Sequence, residues 1–252
     1  MFVIEAGINH FGETKLAKKT LDFFVKSSFK KLTFMLHTDK FYRKYLNKKI
    51  NFKLSHEFYE TAINISHKKG KKIGLSVCDL KTFDELKDLN FDFYKLLSIG
   101  VNNHSLIEGL RKRNKHVFIS TGFNTSISQI QKSIKMFKSK KKLTILHTPM
   151  TYNTSELNFP KINIMRKKFK LDVGYSNHNN DINNLNVLSC YNPKIIFLYC
   201  KPVRQKKRIY PDNEHAVYLD ELEKVKKNYI NYLKANKFTK KIYKIKIFKN
   251  GI

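Results

Sequence analysis

Eight short apolar runs, each followed by an amphipathic stretch, in a chain of 252 residues with no break in composition, predict the α/β class and a single (β/α)8 TIM barrel. The length decides part of this, since roughly 250 residues is what one such barrel takes. A composition of 41% hydrophobic and 13% aromatic residues supplies a core and excludes disorder, despite the charge content. An open doubly wound sheet is the competing architecture, but no G-x-G-x-x-G follows the first apolar run.

The elements follow in order. Residues 2–7 read as a strand buried on both faces, and 15–28 as a helix whose Lys15, Lys18 and Lys19 form the solvated side. A second strand at 32–36 leads to a helix at 55–69, closed by Gly70. Strands at 72–77 and 93–98 flank a helix at 80–89. In the helix at 104–113, Leu106, Ile107 and Leu110 make a core-facing stripe. After the strand at 116–121 the helix at 126–138 repeats that pattern with Ile127, Ile130, Ile134 and Phe137. The sixth strand, 143–148, precedes a helix at 160–169 that Pro160 opens. A strand at 171–176 and a helix at 181–191 end at Asn192-Pro193. The last pair is 194–200 and 219–235, the helix carrying Lys224, Lys226 and Lys227 on its outer face. The barrel is expected to occupy 1–236, with a lysine-rich tail at 237–252.

The 50 Lys and Arg residues against 20 Asp and Glu give a formal charge of +30, a field that attracts anions. The lysines are spread along the whole chain with no nucleic-acid-binding signature, so nucleic acid is not expected as a partner and solvated helix faces are. No apolar run reaches the length of a membrane span and no leader precedes Phe2, so no membrane span and a cytoplasmic location are expected. Cys78, Cys190 and Cys200 lack CxxC spacing and read as reduced, mostly buried thiols.

Barrels of this kind place their chemistry at the C-terminal ends of the strands. There the sequence puts Glu5 through His10, Lys95 through Ser98, Ser120-Thr121-Gly122, His147-Thr148 with Tyr152 beyond, and Ser176-Asn177-His178. A carboxylate, a lysine, hydroxyls and imidazoles at one mouth can bind a phosphorylated anion and move protons beside it.

Ile4-Glu5-Ala6-Gly7-Ile8-Asn9-His10-Phe11-Gly12 resembles the opening motif of the N-acetylneuraminate (sialic acid) synthase family, whose barrel is of the aldolase type. Four blocks match in order: Tyr94 to Ser98 with Asn102-Asn103, Ile119 to Gly122, Leu146-His147 with Tyr152, and Gly174 to His178. Residues 54–70 resemble the second-helix block of the family. The resemblance implies condensation of phosphoenolpyruvate with an N-acetylated amino sugar, releasing phosphate and forming a nonulosonic acid. It implies Glu5 as the catalytic acid/base, Lys95, Ser98, Ser120 and Ser176 as the phosphoenolpyruvate site, and Tyr152 lining the same pocket. It further implies His178 as one of two histidines on a divalent metal, Mn or Mg, that polarises the sugar aldehyde.

The chain departs from that pattern at several positions. Leu32-Thr33-Phe34-Met35 stands for Val-Lys-Phe-Gln, and Gly100 for a glutamate. Ile196-Phe197-Leu198-Tyr199-Cys200 stands for Ile-Glu-Lys-His-Phe, which puts Tyr199 at the second metal-ligand position. Ser76-Val77-Cys78-Asp79 replaces Ser-Thr-Pro-Phe-Asp, and no antifreeze-like domain is expected after the barrel. Three readings follow: a variant of the condensation with substitute ligands such as His10 or His147; a catalytically impaired homologue that binds phosphate or sugar acids without turnover, pairing with an active synthase; and a decayed gene product.

Overall fold

The computed structural model describes residues 1–38, 40–41, 52–122, 125–137, 139–204 and 209–236. Eight parallel strands run in sequence order: β1 (Phe2–Gly7), β2 (Lys31–Met35), β3 (Lys72–Val77), β4 (Phe93–Leu96), β5 (His116–Ser120), β6 (Leu143–His147), β7 (Asp172–Ser176) and β8 (Ile196–Lys201). Pairing of β1 with β8, Phe2 opposite Ile196 and Glu5 opposite Tyr199, closes the sheet into a barrel. A two-residue strand, β9 (Val217–Tyr218), runs parallel to the end of β8 with Cys200 opposite Val217. The helices are α1 (Thr14–Lys26), α2 (His56–Lys68), α3 (Leu80–Asp84), α4 (His104–Lys112), α5 (Ile127–Met136), α6 (Lys161–Phe169), α7 (Asn184–Leu188) and α8 (Leu219–Ala235).

The period of two along each strand divides the barrel into an outer and an inner surface. Ile4, Leu32, Leu75, Tyr94, Ile119, Ile145, Val173 and Leu198 face outward and share one apolar core with Leu21, Phe58, Leu106, Ile134, Ile162 and Leu222 of the helices. Inside, Val3, Phe93, Phe118, Leu146, Ile195 and Phe197 pack into an apolar floor. Gly74 has no side chain because the Phe93 ring lies over it, 2.2 Å from where a Cβ would stand. Two residues further along the strands, the next inward rung is polar: Glu5, Thr33, Ser76, Lys95, Ser120 and Ser176, each buried. That rung and the loops above it form the site.

Polar side chains fix the helix starts. Ser55 accepts from Phe58 N–H at 3.2 Å, Asp79 from Thr82 N–H at 3.0 Å and Asn103 from Leu106 N–H at 3.0 Å. Ser126 and Gln129 form a reciprocal capping box at α5. The Ile127 side of the predicted α5 stripe is wrong: Ile130, Ile134 and Phe137 are buried, whereas Ile127 in the first turn is exposed. The lysines do hold the solvated faces, with Lys15, Lys18 and Lys19 exposed between buried Leu16, Ala17 and Thr20. Cys78 and Cys200 are buried and Cys190 exposed, all three as free thiols. Among the described residues no helix is long and apolar enough to cross a membrane. The tail expected at 237–252 lies outside the described residues.

Candidate functional site

The floor of the site is a chain of hydrogen bonds across the barrel. The Lys95 ammonium donates to Glu5 Oε2 at 2.6 Å, to Glu5 Oε1 at 2.8 Å and to Ser176 Oγ at 3.0 Å. Ser76 Oγ donates to Glu5 Oε1 at 3.2 Å and lies 3.2 Å from Thr33 Oγ1. The ammonium also sits over the rings of Phe197 and Tyr199, 4.9 and 5.5 Å from their centres. Burial pulls the Lys95 pKa down from its usual range, and the Glu5 carboxylate opposes the shift.

Above this floor opens a cavity of about 730 Å³, within the roughly 300–1,000 Å³ typical of small-molecule sites. Of the residues predicted for the site, Lys95, Ser98, Ser120 and His178 line it. Ser120 Oγ pairs with Thr148 Oγ1 at 2.9 Å. Glu5 and Ser176 lie beneath the cavity, reached through Lys95. Tyr152 is 53% exposed on the loop after β6 and is not among the lining residues. The two substitute ligands that the sequence offers stand elsewhere. His147 alternates outward on β6, and its Nε2–H donates to Leu157 O at 2.7 Å. His10 packs against Phe34 with its Nδ1 accepting from Gly12 N–H, so neither imidazole reaches the cavity.

The lining residues absent from the sequence reading include His37 and Lys40 after β2 and, most consequential, Asp212 and His215 on the loop between β8 and β9. Asn9 of the first loop anchors that segment: its Oδ1 accepts from Asp212 N–H at 3.0 Å and its Nδ2 donates to Cys200 O at 2.9 Å. Burial pushes the Asp212 carboxyl up to about 7, with Glu5 adding to the shift and Lys95 opposing it. Asp212 Oδ2 and both ring nitrogens of His215 are enclosed without a hydrogen-bond partner among the described residues. The His215 ring centre lies 5.0 Å from that of His178, and burial holds both imidazoles neutral, His215 down at about 4. A carbonyl only accepts, so the 3.2 Å contact of His178 Nδ1 with Ser176 O places the ring hydrogen on Nδ1 and leaves Nε2 bare. The signal for Asp212 and His215 was their position, polar residues on the loop that leaves the last barrel strand.

A model of the NeuB family matches residues 4–241. The chain belongs to the NeuB family. The N,N'-diacetyllegionaminic acid synthase of Campylobacter jejuni subsp. jejuni is 26% identical over 206 residues, 72% of this chain and 61% of that protein. An uncharacterised protein of Methanocaldococcus jannaschii is 27% identical over 184 residues, 70% of this chain and 54% of that protein. The chain thus spans between half and two-thirds of the length of these relatives. Among solved structures, an N-acetylneuraminic acid synthetase from Leptospira borgpetersenii superposes with a TM-score of 0.83 at 22% identity, covering 97% of this chain and 87% of that one. A phospho-2-dehydro-3-deoxyheptonate aldolase from Thermotoga maritima gives 0.74 at 14% identity, covering 93% of this chain and 70% of that one. Both likenesses show the same barrel.

The positions where this NeuB-family chain departs from the expected motifs have local structural reasons. Thr33, in place of a lysine, bonds Ser76 within the Glu5 network. A Cβ on Gly100 would stand 2.8 Å from Cys78 O, so no glutamate fits there. Phe197, in place of a glutamate, completes the apolar floor with its ring centre 5.1 Å from that of Phe118. Tyr199, in place of a histidine, is buried with its ring centre 5.5 Å from the Lys95 ammonium, and burial, with the Glu5 charge adding to the shift, holds its phenol well above the usual range.

Proposed function

We propose that the chain condenses phosphoenolpyruvate with an N-acetylated amino sugar, forming a nonulosonic acid. The observation that carries the reading is the buried Lys95–Glu5–Ser176 network under a cavity that also presents Ser98, Ser120 and Thr148. A phosphorylated carboxylate needs a fixed cation and several donors, and these groups supply both. In the reaction the methylene carbon of phosphoenolpyruvate bonds to the aldehyde carbon, water adds at the enol carbon, and that carbon's oxygen bond to phosphate breaks as the ketone forms. Lys95, Ser98 and Ser120 hold the anion. Glu5 keeps Lys95 charged and aimed, acting on the reaction through it. Asp212 faces the cavity and is the carboxyl placed to exchange a proton with the sugar oxygen.

Among the described residues no three side chains of the His, Cys, Asp and Glu types are arranged to hold a metal ion. The chemistry at the mouth nevertheless fits a divalent ion, because the bare Nε2 of His178 and the unpartnered buried nitrogens of His215 are neutral donors beside one another. Such an ion, when bound, supplies Lewis-acid polarisation of the sugar carbonyl.

The test is phosphate release from phosphoenolpyruvate with N-acetylmannosamine or a related amino sugar, in Mn²⁺ or Mg²⁺. Release that depends on both substrates supports the reading; release no greater than that of a Glu5→Gln variant removes it. Phe197 and Thr33, which take the places of a glutamate and a lysine, favour a second reading, binding of the anion without turnover. In that case phosphoenolpyruvate raises the melting temperature while no phosphate appears.

A further inference from the structure

We infer that His178 and His215 together form the protein half of a divalent-cation site, its second imidazole supplied by the loop after β8 instead of by β8 itself. The inference deepens the proposed function and rests on it for the substrate and water oxygens that complete the coordination sphere.

Tyr199 stands where a second inward ligand on β8 would, buried with its ring beside the Lys95 ammonium. Its ring meets His178 edge-on at 5.2 Å between centres and His215 at 4.8 Å and 89°, so it braces both imidazoles from below. With metal–nitrogen bonds of about 2.1 Å, two imidazoles on one ion put their ring centres roughly 5 Å apart. His178 and His215 are 5.0 Å apart.

The hydrogen-bond pattern points the same way. A ligating histidine donates its other ring hydrogen to a carbonyl or carboxylate, as His178 Nδ1–H does to Ser176 O. Among the described residues His215 has two enclosed nitrogens and no hydrogen-bond partner for either, with Asp212 Oδ1 at 3.7 Å from Nε2. Leaving such nitrogens unpaired in a buried position is costly, and an ion on one of them removes that atom's share of the deficit. Asp212 Oδ2, also enclosed and unpaired, supplies negative charge beside the ion without being required as a ligand. Both histidines and Asp212 line the cavity, so the ion's remaining positions open towards the substrates.

Mn²⁺ binding to the full chain, followed by loss of the free-ion signal in electron paramagnetic resonance without substrates, tests the inference. One ion per chain is expected, with His178→Gln and His215→Gln each weakening affinity by about tenfold or more. Melting temperatures in the absence of metal establish that each variant folds. The double variant Tyr199→His/His215→Gln returns the second imidazole to β8 and is expected to regain binding. Parent-like Mn²⁺ affinity in folded His215→Gln, or no binding by the parent chain at millimolar ion, overturns the site. A parallel melting curve with phosphoenolpyruvate separates the two claims. A shift with phosphoenolpyruvate but no bound Mn²⁺ sinks the cation site alone, whereas bound Mn²⁺ with no phosphoenolpyruvate effect and no phosphate release sinks the proposed function alone.

Discussion

Lys95 and Glu5, ninety residues apart in the chain, meet at 2.6 Å inside the barrel with both side chains buried and Lys95 at the cavity floor. Burial of two charges is tolerated because each is paired and further hydrogen-bonded, Lys95 to Ser176 and Glu5 to Ser76. Removing one partner strands the other. Lys95→Met and Glu5→Gln should each destabilise the fold by about 3–5 kcal/mol, and the pair together by less than the sum. Urea denaturation of the four proteins in the cycle measures this; strict additivity contradicts the pairing.

Gly7 ends β1 with φ of +55°, a backbone region that a side chain makes unfavourable. A Cβ there would stand 2.5 Å from Asp212 Oδ2 and 3.0 Å from the Tyr199 ring. Gly7→Ala is therefore expected to lower stability by about 1–3 kcal/mol and to displace the loop that carries Asp212 and His215. A thermal melt alongside Mn²⁺ affinity reads both effects, and parent-like values for both contradict the packing.

Phe197 fills the barrel floor together with Phe93 and Phe118. Phe197→Ala should cost about 3–5 kcal/mol through the cavity it leaves. Phe197→Glu, which restores the carboxylate expected from the family motif, is predicted to be no better tolerated, since it buries a charge among aromatic rings. If Phe197→Glu melts at the parent temperature, the floor is more open than the packing implies.

His10 and His147 are buried neutral, their pKa values pulled to about 3 and about 4 chiefly by desolvation. In the unfolded chain they titrate near 6.5, so below that pH the unfolded state binds protons that the native state does not. Stability is full above about pH 6.5 and declines as the pH falls towards 4 and then 3, by on the order of 3 kcal/mol per histidine once the shift is complete. Urea midpoints at pH 7.5 and 5 test the slope, to which buried His37, His178 and His215 add in the same direction, and His147→Gln should reduce it by that residue's share. Equal midpoints at the two pH values contradict the assignment.

The fold was legible because every barrel strand is buried on both faces and so reads as a short, largely apolar run, as at 72–77 and 143–148, while the helices alternate by turns. The ends were less so. The fourth strand stops at Leu96 because Ser98–Gly100 turns into a short 3₁₀ helix, and the third helix stops at Asp84, with turns up to Leu89. At the site, strand-borne Glu5, Lys95, Ser120 and Ser176 could be placed by counting along period-two strands. That same counting should have excluded His147, one residue out of phase with Thr148. Asp212 and His215 were invisible to periodicity, since a loop has none; Asn9, more than two hundred residues away in sequence, and Lys201, which donates to Asn213 O at 3.0 Å, help hold that loop over the cavity.

The proposed reaction joins phosphoenolpyruvate to an amino sugar at the barrel mouth. Carbon-13 NMR of phosphoenolpyruvate labelled at its methylene carbon, incubated with the chain, N-acetylmannosamine and Mn²⁺, reads it directly. The vinyl resonance should give way to a saturated methylene of a deoxy sugar acid, with one phosphate released for each. A vinyl signal that persists undiminished, while the same sample shows the chain folded and phosphoenolpyruvate bound, contradicts it.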